Sequence, residues 1–390
     1  MMLRELGIEE IRPSREAVAI IVGPNGSGKS TYLRELANHY RFNRDVTVAC
    51  NTPHDRFLGI RHIHRISVGR PGQSPKNVIK DAVATTIDAP DSRFSQIAAI
   101  LEYCGYRSRF GFTIDDTMRR RKKFYDLSDS VKADFANDPD FERAMSFLER
   151  RGQHDPIWID PTEPVLSFSQ AREFASVLRH ETVLRTERVI RGVRVYLKRD
   201  DGQVIELHRA SSGQLSLISS LLFLIMTVKE DPIIIVDEPE NSLHPSWQRE
   251  YIDKVLAAMS YRNATLIVAT HSPLIVTGAM SANPKLVSVF QIQGGRPTEV
   301  RLDEHKGSPS GIEEILWRAF EVVTPANHFV SEQIVEEISR FENGEIDKAT
   351  VLSLIGEMEQ GSFDERQAGF FKAVRELLDK VEISRTTGSS

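Results

Sequence analysis

The sequence predicts an α/β fold with a parallel sheet, and three observations carry that expectation. Short apolar runs alternate with helix-like stretches: "REAVAIIVG" (15–23) precedes "KSTYLRELANHY" (29–40), "PIIIVDE" (232–238) follows "GQLSLISSLLFLIMTVKE" (213–230), and "ATLIVATHSP" (264–273) follows a further helical stretch. Helices packed on the faces of a parallel sheet produce this alternation. The run at 233–236 is continuously apolar, as a strand covered on both faces requires. The first strand also enters its helix through a Gly-rich turn, which makes one β-loop-α unit.

The remaining elements follow in order. "RDVTVACNTPHD" (44–55) reads as a second strand, ended where Pro53 removes a backbone donor. The spacing of "VIKDAVATTI" (78–87) and "FSQIAAILEYCGY" (94–106) predicts amphipathic helices, and "RSRFGFTID" (107–115) a strand. Residues 117–182 are helical in pattern, interrupted by the Pro-rich "HDPIWIDPTEPV". Sustained heptads are missing there, so a compact helical lobe is expected, not a coiled-coil arm. "VRVYLKR" (193–199) and "QVIELHR" (203–209) alternate around Asp200-Asp201-Gly202, the pattern of a hairpin. From 311 to 380 the chain reads as helices broken near Asn343-Gly344 and Gly361-Ser362, and the final "RTTGSS" is expected to be disordered.

Composition narrows the class. With 40% hydrophobic and 27% charged residues the 390-residue chain reads as soluble and globular. No apolar run nears the roughly 18 to 20 residues that cross a bilayer, so no membrane role is expected. The N-terminus lacks the pattern of a signal peptide. Two cysteines, Cys50 and Cys104, are too few for a disulfide framework and point to a reducing, cytoplasmic setting in which both are structural. Net charge is −5, unevenly spread: 16 acidic against 8 basic residues place −8 in 311–390 and leave +3 on the first 310 residues. That argues against a uniformly basic nucleic-acid binder and leaves room for a local basic patch.

Four stretches carry chemistry. "GPNGSGKS" (23–30) fits G-x-x-x-x-G-K-[ST], in which backbone N–H groups of Gly23, Asn25, Gly26, Ser27 and Gly28 cradle phosphate oxygens. Lys29 would reach the β and γ phosphates, Ser30 would ligate magnesium, and Thr31 would join the nucleotide contacts. A Gly-rich structural turn is the plainer alternative. "IIIVDE" ends a buried strand on two carboxylates. In the same sheet as the phosphate loop, Asp237 would hold magnesium and Glu238 would polarise an attacking water; the plainer alternative is a strand-end turn whose carboxylates accept hydrogen bonds from helix N-termini. "ASSGQ" puts Ser211, Ser212, Gly213 and Gln214 ahead of an apolar helix, an ordinary N-cap or a second phosphate-recognition turn. "IVATHSP" ends its strand on Thr270 and His271, and His271 could hydrogen-bond a γ phosphate or be purely structural.

In this order the four stretches resemble the ATP-binding-cassette (ABC) ATPases of the SMC, RecF and OLD-like group, over roughly residues 1–300. The resemblance implies a P-loop NTPase head: "GPNGSGKS" as Walker A, "ASSGQ" as signature motif, "IIIVDE" as Walker B and His271 as switch histidine, with ATP and Mg2+ as cofactors. "DEPENSLHP" (237–245) sets this branch apart from transporter ATPases and puts His244 where they keep the D-loop aspartate. Gln73 and Gln96 are candidates for the Q-loop glutamine, but neither follows a clear strand, so that role is unassigned. Within the branch, "VACNTPHDRF" (48–57) and the acidic tail most resemble PtuA-type ATPases of the Septu and retron-associated antiphage systems.

The resemblance implies the following organisation. Residues 1–115 and 191–305 form the two ATPase lobes, 116–190 a helical lobe inserted between Walker A and signature, and 306–385 an acidic helical region. It implies a homodimer or higher oligomer whose heads sandwich ATP, with a separate nuclease effector, HNH-type if the PtuA likeness holds. An intrinsic OLD-like nuclease is disfavoured, because 281–390 holds no Asp-x-Asp. A RecF-like repair ATPase that binds DNA directly is the alternative, and a transporter ATPase ranks last. "RRRKKF" (119–124) and the row Arg185, Arg188, Arg191, Arg194, Lys198, Arg199 are either solvated faces or contacts to a nucleic-acid backbone.

Overall fold

From the N-terminus, α1 (Met2–Glu5) precedes β1 (Ala17–Val22), the Gly-rich turn and α2 (Lys29–Tyr40). Then come β2 (Val46–Cys50), β3 (His64–Ser67), α3 (Pro75–Thr86), α4 (Arg93–Tyr103) and the long β4 (Tyr106–Asp116). A helical stretch follows: α5 (Asp129–Phe135), α6 (Pro139–Arg150), then β5 (Ile157–Ile159), α7 (Phe168–Arg179) and α8 (Glu181–Thr186). The hairpin of β6 (Ile190–Arg199) and β7 (Val204–Glu206) leads into α9 (Ser212–Thr227), β8 (Ile233–Asp237), α10 (Pro245–Ala258), β9 (Thr265–Ala269) and α11 (Pro273–Ala282). The chain closes with β10 (Val287–Gln293), β11 (Arg296–Glu299), α12 (Ile312–Phe320), α13 (His328–Glu342) and α14 (Lys348–Gln360). The computed structural model describes residues 2–8, 16–52, 54–67, 73–87, 93–116, 123–151, 156–160, 168–241, 243–259, 262–300, 312–320, 328–360, 371–379 and 381–382.

The central sheet has seven strands in the order β11-β10-β1-β9-β8-β2-β3. All neighbours are parallel except β10 and β11, so the fold is α/β as expected. Successive side chains of a strand point to opposite faces. In β8 that period sends Ile233 and Ile235 to the face covered by α2 and α1, and Ile234 and Val236 to the face covered by the other helices. All four side chains are fully buried, which stabilises the strand by roughly 1.5–3 kcal/mol per residue. Close packing also fixes one glycine: a Cβ on Gly278 in α11 would sit 1.8 Å from the Arg249 carbonyl oxygen of α10.

A second, antiparallel sheet runs β5-β4-β6-β7. Its inner face (Phe110, Phe112, Val193, Val195, Leu197) joins the main core, and α6 and α7 pack onto it through Phe141, Phe147 and Phe174. The divisions drawn at 115/116 and 190/191 fall at the end of β4 and the start of β6, where Asp116 pairs with Ile190. Further along, α13, α14 and residues 371–379 bury a separate small core of Ile334, Phe341, Ile355, Met358 and Phe371. Cys50 and Cys104 are buried and free, and burial pushes the Cys104 thiol up to about 12, so it stays protonated. Among the described residues no helix is long and apolar enough to cross a membrane.

Several elements differ from the sequence-based expectation. β3 is a four-residue strand whose sequence, His-Arg-Ile-Ser, shows little apolar pattern because it lies at the sheet edge. It does precede Gln73, and the Gln73 amide folds back onto it, Nε2 donating to Arg65 O and Oε1 accepting from Ser67 N. β5 takes three residues of the Pro-rich interruption to extend the second sheet. In the hairpin the second strand stops at Glu206, and 207–209 turn as a short 3-10 helix. The β10–β11 hairpin was not foreseen, although Gly294-Gly295, both at positive φ, mark its turn. The expected break at Gly361-Ser362, "RTTGSS" and most of "RRRKKF" lie outside the described residues.

Candidate nucleotide site

Register places the site. Ile21, Ala269, Asp237 and Cys50 pair in one row across β1, β9, β8 and β2. Just beyond that row the strands leave together at the carboxyl edge: β1 through Val22 into Gly23 and the Gly-rich loop, β9 into Thr270 and His271, β8 into Glu238, and β2 into Asn51. That edge of an open parallel sheet is where ligands bind.

The loop needs its glycines. Gly23, Gly26 and Gly28 have φ of 149°, 83° and 102°, and Gly28 is the N-cap of α2. A Cβ on Gly23 would also lie 2.9 Å from Ser27 Oγ, which is itself buried without a hydrogen-bond partner. Lys29 is buried and turned back onto its own loop, its Nζ donating to Gly23 O at 2.9 Å and Pro24 O at 3.1 Å. Burial lowers its pKa, opposed by the charges of Glu238, Asp237 and Glu240. The ammonium thus lies at the loop mouth facing three carboxylates.

Asp237 follows the β8 period onto the α2 face, and there Ser30 Oγ donates to its Oδ1 at 3.1 Å. It is fully buried, and Oδ2 has no partner. Burial pushes its pKa up to about 6, and the neighbouring charge of Glu238 adds to this against the Ser30 hydrogen bond. A buried carboxylate with a free oxygen beside a serine hydroxyl and a phosphate loop is a donor set suited to Mg2+. Among the described residues no group of three or more His, Cys, Asp or Glu could hold a metal, so such an ion would share Ser30 and Asp237 with nucleotide phosphates.

Glu238 breaks the strand with φ 52°, a left-handed conformation costly for a non-glycine residue and typical of functional sites. The turn redirects its carboxylate along the sheet edge. Oε1 lies 3.3 Å from His271 Nε2, without hydrogen-bond geometry, and Oε2 accepts from Asn241 Nδ2 at 3.1 Å. Asn241 also donates to Asn51 O at 3.3 Å. The His271 pKa is lowered by burial first and by the Lys29 charge second, so the ring stays neutral at pH 7.

The sequence reading assigned Glu240 no role. Its carboxylate clamps the end of β9: Oε2 accepts from Thr270 Oγ1 at 2.9 Å and Oε1 from His271 N at 2.5 Å. Thr270 Oγ1 in turn accepts from Ser272 N at 2.9 Å. Glu240 and Asn241 were visible as the last residues of "DEPEN", but a carboxylate or amide after a Pro carries no periodic signal.

Ser211–Gln214 lie elsewhere. Ser211 N-caps α9 in a capping box with Gln214, whose amide also donates to Cys104 O at 3.1 Å and accepts from Tyr106 OH at 2.7 Å. α9 packs over β2 and β3, three and four strands from β1, and its start is held at Cys104 and Tyr106.

A parallel sheet, a Lys-bearing glycine loop between β1 and α2, and an Asp-Glu strand end in contact with that loop complete the pattern. The chain has a P-loop NTPase fold. Residues 108–277 match the family described as "AAA domain, putative AbiEii toxin, Type IV TA system". A "Retron Vc95 probable ATPase" of Vibrio cholerae serotype O1 biovar El Tor is 21% identical over 363 residues, 70% of each chain. "Protein ea59" of Escherichia phage lambda is 33% identical over 70 residues, 18% of this chain and 13% of that protein. Similar solved structures include the ADP conformation of an ABC-transporter ATP-binding cassette (16% identity, 78% of this chain and 84% of that one, TM-score 0.30). Another is the SMC head domain from Thermotoga maritima (12% identity, 74% and 90%, TM-score 0.27).

Proposed function

We propose that this chain binds and hydrolyses ATP between two head-to-tail copies and serves as the sensor or regulatory subunit of an antiphage defence complex whose nuclease is a separate, HNH-type protein. The observation that carries the ATPase reading is the contact of Ser30 with Asp237 beside Lys29, with Glu238 facing His271 on the adjoining strand. Backbone N–H groups of 23–28 would cradle the phosphates, and Lys29 would exchange its loop carbonyls for phosphate oxygens. Ser30 and Asp237 would hold Mg2+, which when bound neutralises phosphate charge. Glu238 would accept the proton of the attacking water, held in place by Asn241, while neutral His271 would donate to the terminal phosphate from a loop that Glu240 clamps.

The exposure of Ser211 and Ser212 at the start of α9 supports the two-copy arrangement: Ser211–Gly213 of one copy would close on nucleotide held by Lys29 of the other. The likeness to the retron ATPase supports the defence role. Glu238→Gln is expected to stop turnover by about 100-fold or more while ATP still binds and a dimer accumulates, read by phosphate release and by light scattering after size exclusion. Undiminished hydrolysis in that variant refutes the assignment.

A further inference from the structure

The end of α8 carries a choice of residue that folding alone does not favour. Three helices of this chain finish in the same Schellman geometry, with paired bonds closing the last turn. In α1 these are Ile8 N to Leu3 O and Gly7 N to Arg4 O, and in α13 Glu345 N to Arg340 O and Gly344 N to Phe341 O. Both place a glycine at the left-handed position, Gly7 at φ 65° and Gly344 at φ 78°. In α8 the bonds are Val189 N to Leu184 O and Arg188 N to Arg185 O, and the left-handed residue, at φ 57°, is Arg188. A long side chain where glycine is cheaper points to a use for that side chain.

Its surroundings define the use. A cleft of about 540 Å³ is lined by Thr182, Arg185, Thr186, Arg188, Ile190 and Arg191. The three arginines are exposed. Among the described residues, three nearby acids have partners of their own: buried Glu181 pairs with Lys80 and accepts from Val193 N, Glu187 accepts from the Ser128 backbone and hydroxyl, and Asp115 pairs with Arg194. Half-buried Lys76 of α3 reaches the same field, its pKa lowered by burial and, among other charges, by Arg185. Among the described residues, the lining offers guanidinium donors but no aromatic ring or acidic group to read a base. Along β6, Arg191 and Lys198 are about 23 Å apart at strand rise, far longer than one phosphate group, with Arg194 between them held by Asp115.

We propose that this cleft binds the phosphodiester backbone of a nucleic-acid strand, with Arg185, Arg188 and Arg191 as its phosphate contacts and without base readout. None of these residues belongs to the nucleotide site, so the inference stands or falls apart from the ATPase reading.

The test is fluorescence anisotropy of the full-length protein with labelled 30-nucleotide single-stranded DNA, duplex DNA and RNA, titrated from 50 to 300 mM salt. Binding should weaken steeply with salt, and the arms identify which strand form is preferred. Arg185→Ala and Arg191→Ala are each expected to weaken binding about 5- to 10-fold and to lower the log-log salt slope by about 1. Arg188→Gly should weaken it likewise while the melting temperature holds or rises and basal ATP hydrolysis is unchanged, a split that a structural role for Arg188 would not give. No affinity for any nucleic acid at 50 mM salt overturns the proposal, as does wild-type affinity in all three variants. Complete displacement of the oligonucleotide by millimolar inorganic phosphate or AMP overturns it too, as the mark of a mononucleotide site. So does a cleft that cross-links only to the acidic helices of a second copy.

Discussion

Asp237→Asn should stabilise the protein in the absence of nucleotide and magnesium while ending ATP hydrolysis. The carboxyl is fully buried and its pKa is pushed from an ordinary 3.8 up to about 6. Below about pH 4 it is protonated in folded and unfolded chains alike and favours neither. Between about pH 4 and pH 6 the unfolded chain ionises while the folded carboxyl holds its proton, so folding stability falls as pH rises. Above pH 6 the loss is complete. At about 1.36 kcal/mol per tenfold change in proton affinity it amounts to about 3 kcal/mol. Asparagine keeps an oxygen to accept from Ser30 and replaces the unpartnered Oδ2 with a neutral amide, which returns about 2 to 3 kcal/mol at pH 8. For a chain of 390 residues that is about 3 °C in melting temperature. Melts of both proteins from pH 4 to pH 8 should show the gap opening with pH, and magnesium with ATP should reverse it by stabilising the wild type alone. A variant no more stable than wild type at pH 8, or a gap independent of pH, refutes the reasoning.

Other substitutions separate binding, positioning and packing. Lys29→Ala should abolish ATP binding in calorimetry with magnesium while the melting curve without ligand stays close to wild type. Glu240→Gln keeps one acceptor for the β9 end and loses the other, so turnover should fall about tenfold, from roughly 1.5 kcal/mol of lost positioning, with ATP affinity within about threefold. Gly278→Ala forces α10 and α11 apart at a 1.8 Å approach, and thermal melts should show a loss of at least about 1–3 kcal/mol.

Much of the site was legible because its chemistry is local in sequence. The glycines, Lys29 and Ser30 lie within one turn, and Asp237 and Glu238 end a strand whose apolar run announces it. Long-range register then brings Ser30 and Asp237 together across 207 positions, which the chain can suggest only through the order of its strands. Glu240 and Asn241 stayed silent because each has one backbone partner, the His271 amide or the Asn51 carbonyl, with no residue identity to read, and Thr270 lies 30 positions from Glu240. β3 and β5 were missed for a related reason: edge strands of three or four residues bury too little for a period to show. Gln73 looked unanchored only because β3 was invisible. The helical lobe was foreseen as a unit, but the sheet it packs on draws β4 and β6 from either side of it, and no local pattern records that pairing.

The central claim is that each nucleotide site is shared between two copies, Lys29 from one and Ser211–Gly213 from the other. Lys29→Ala and Ser212→Arg each abolish hydrolysis alone under this account, the second by blocking an exposed helix start without touching the core. Mixed in equal amounts, half of the dimers carry both variants, and each of these has one intact site, so activity should return to roughly a quarter of wild type. Phosphate release from the mixture no greater than from either variant alone would contradict the shared site.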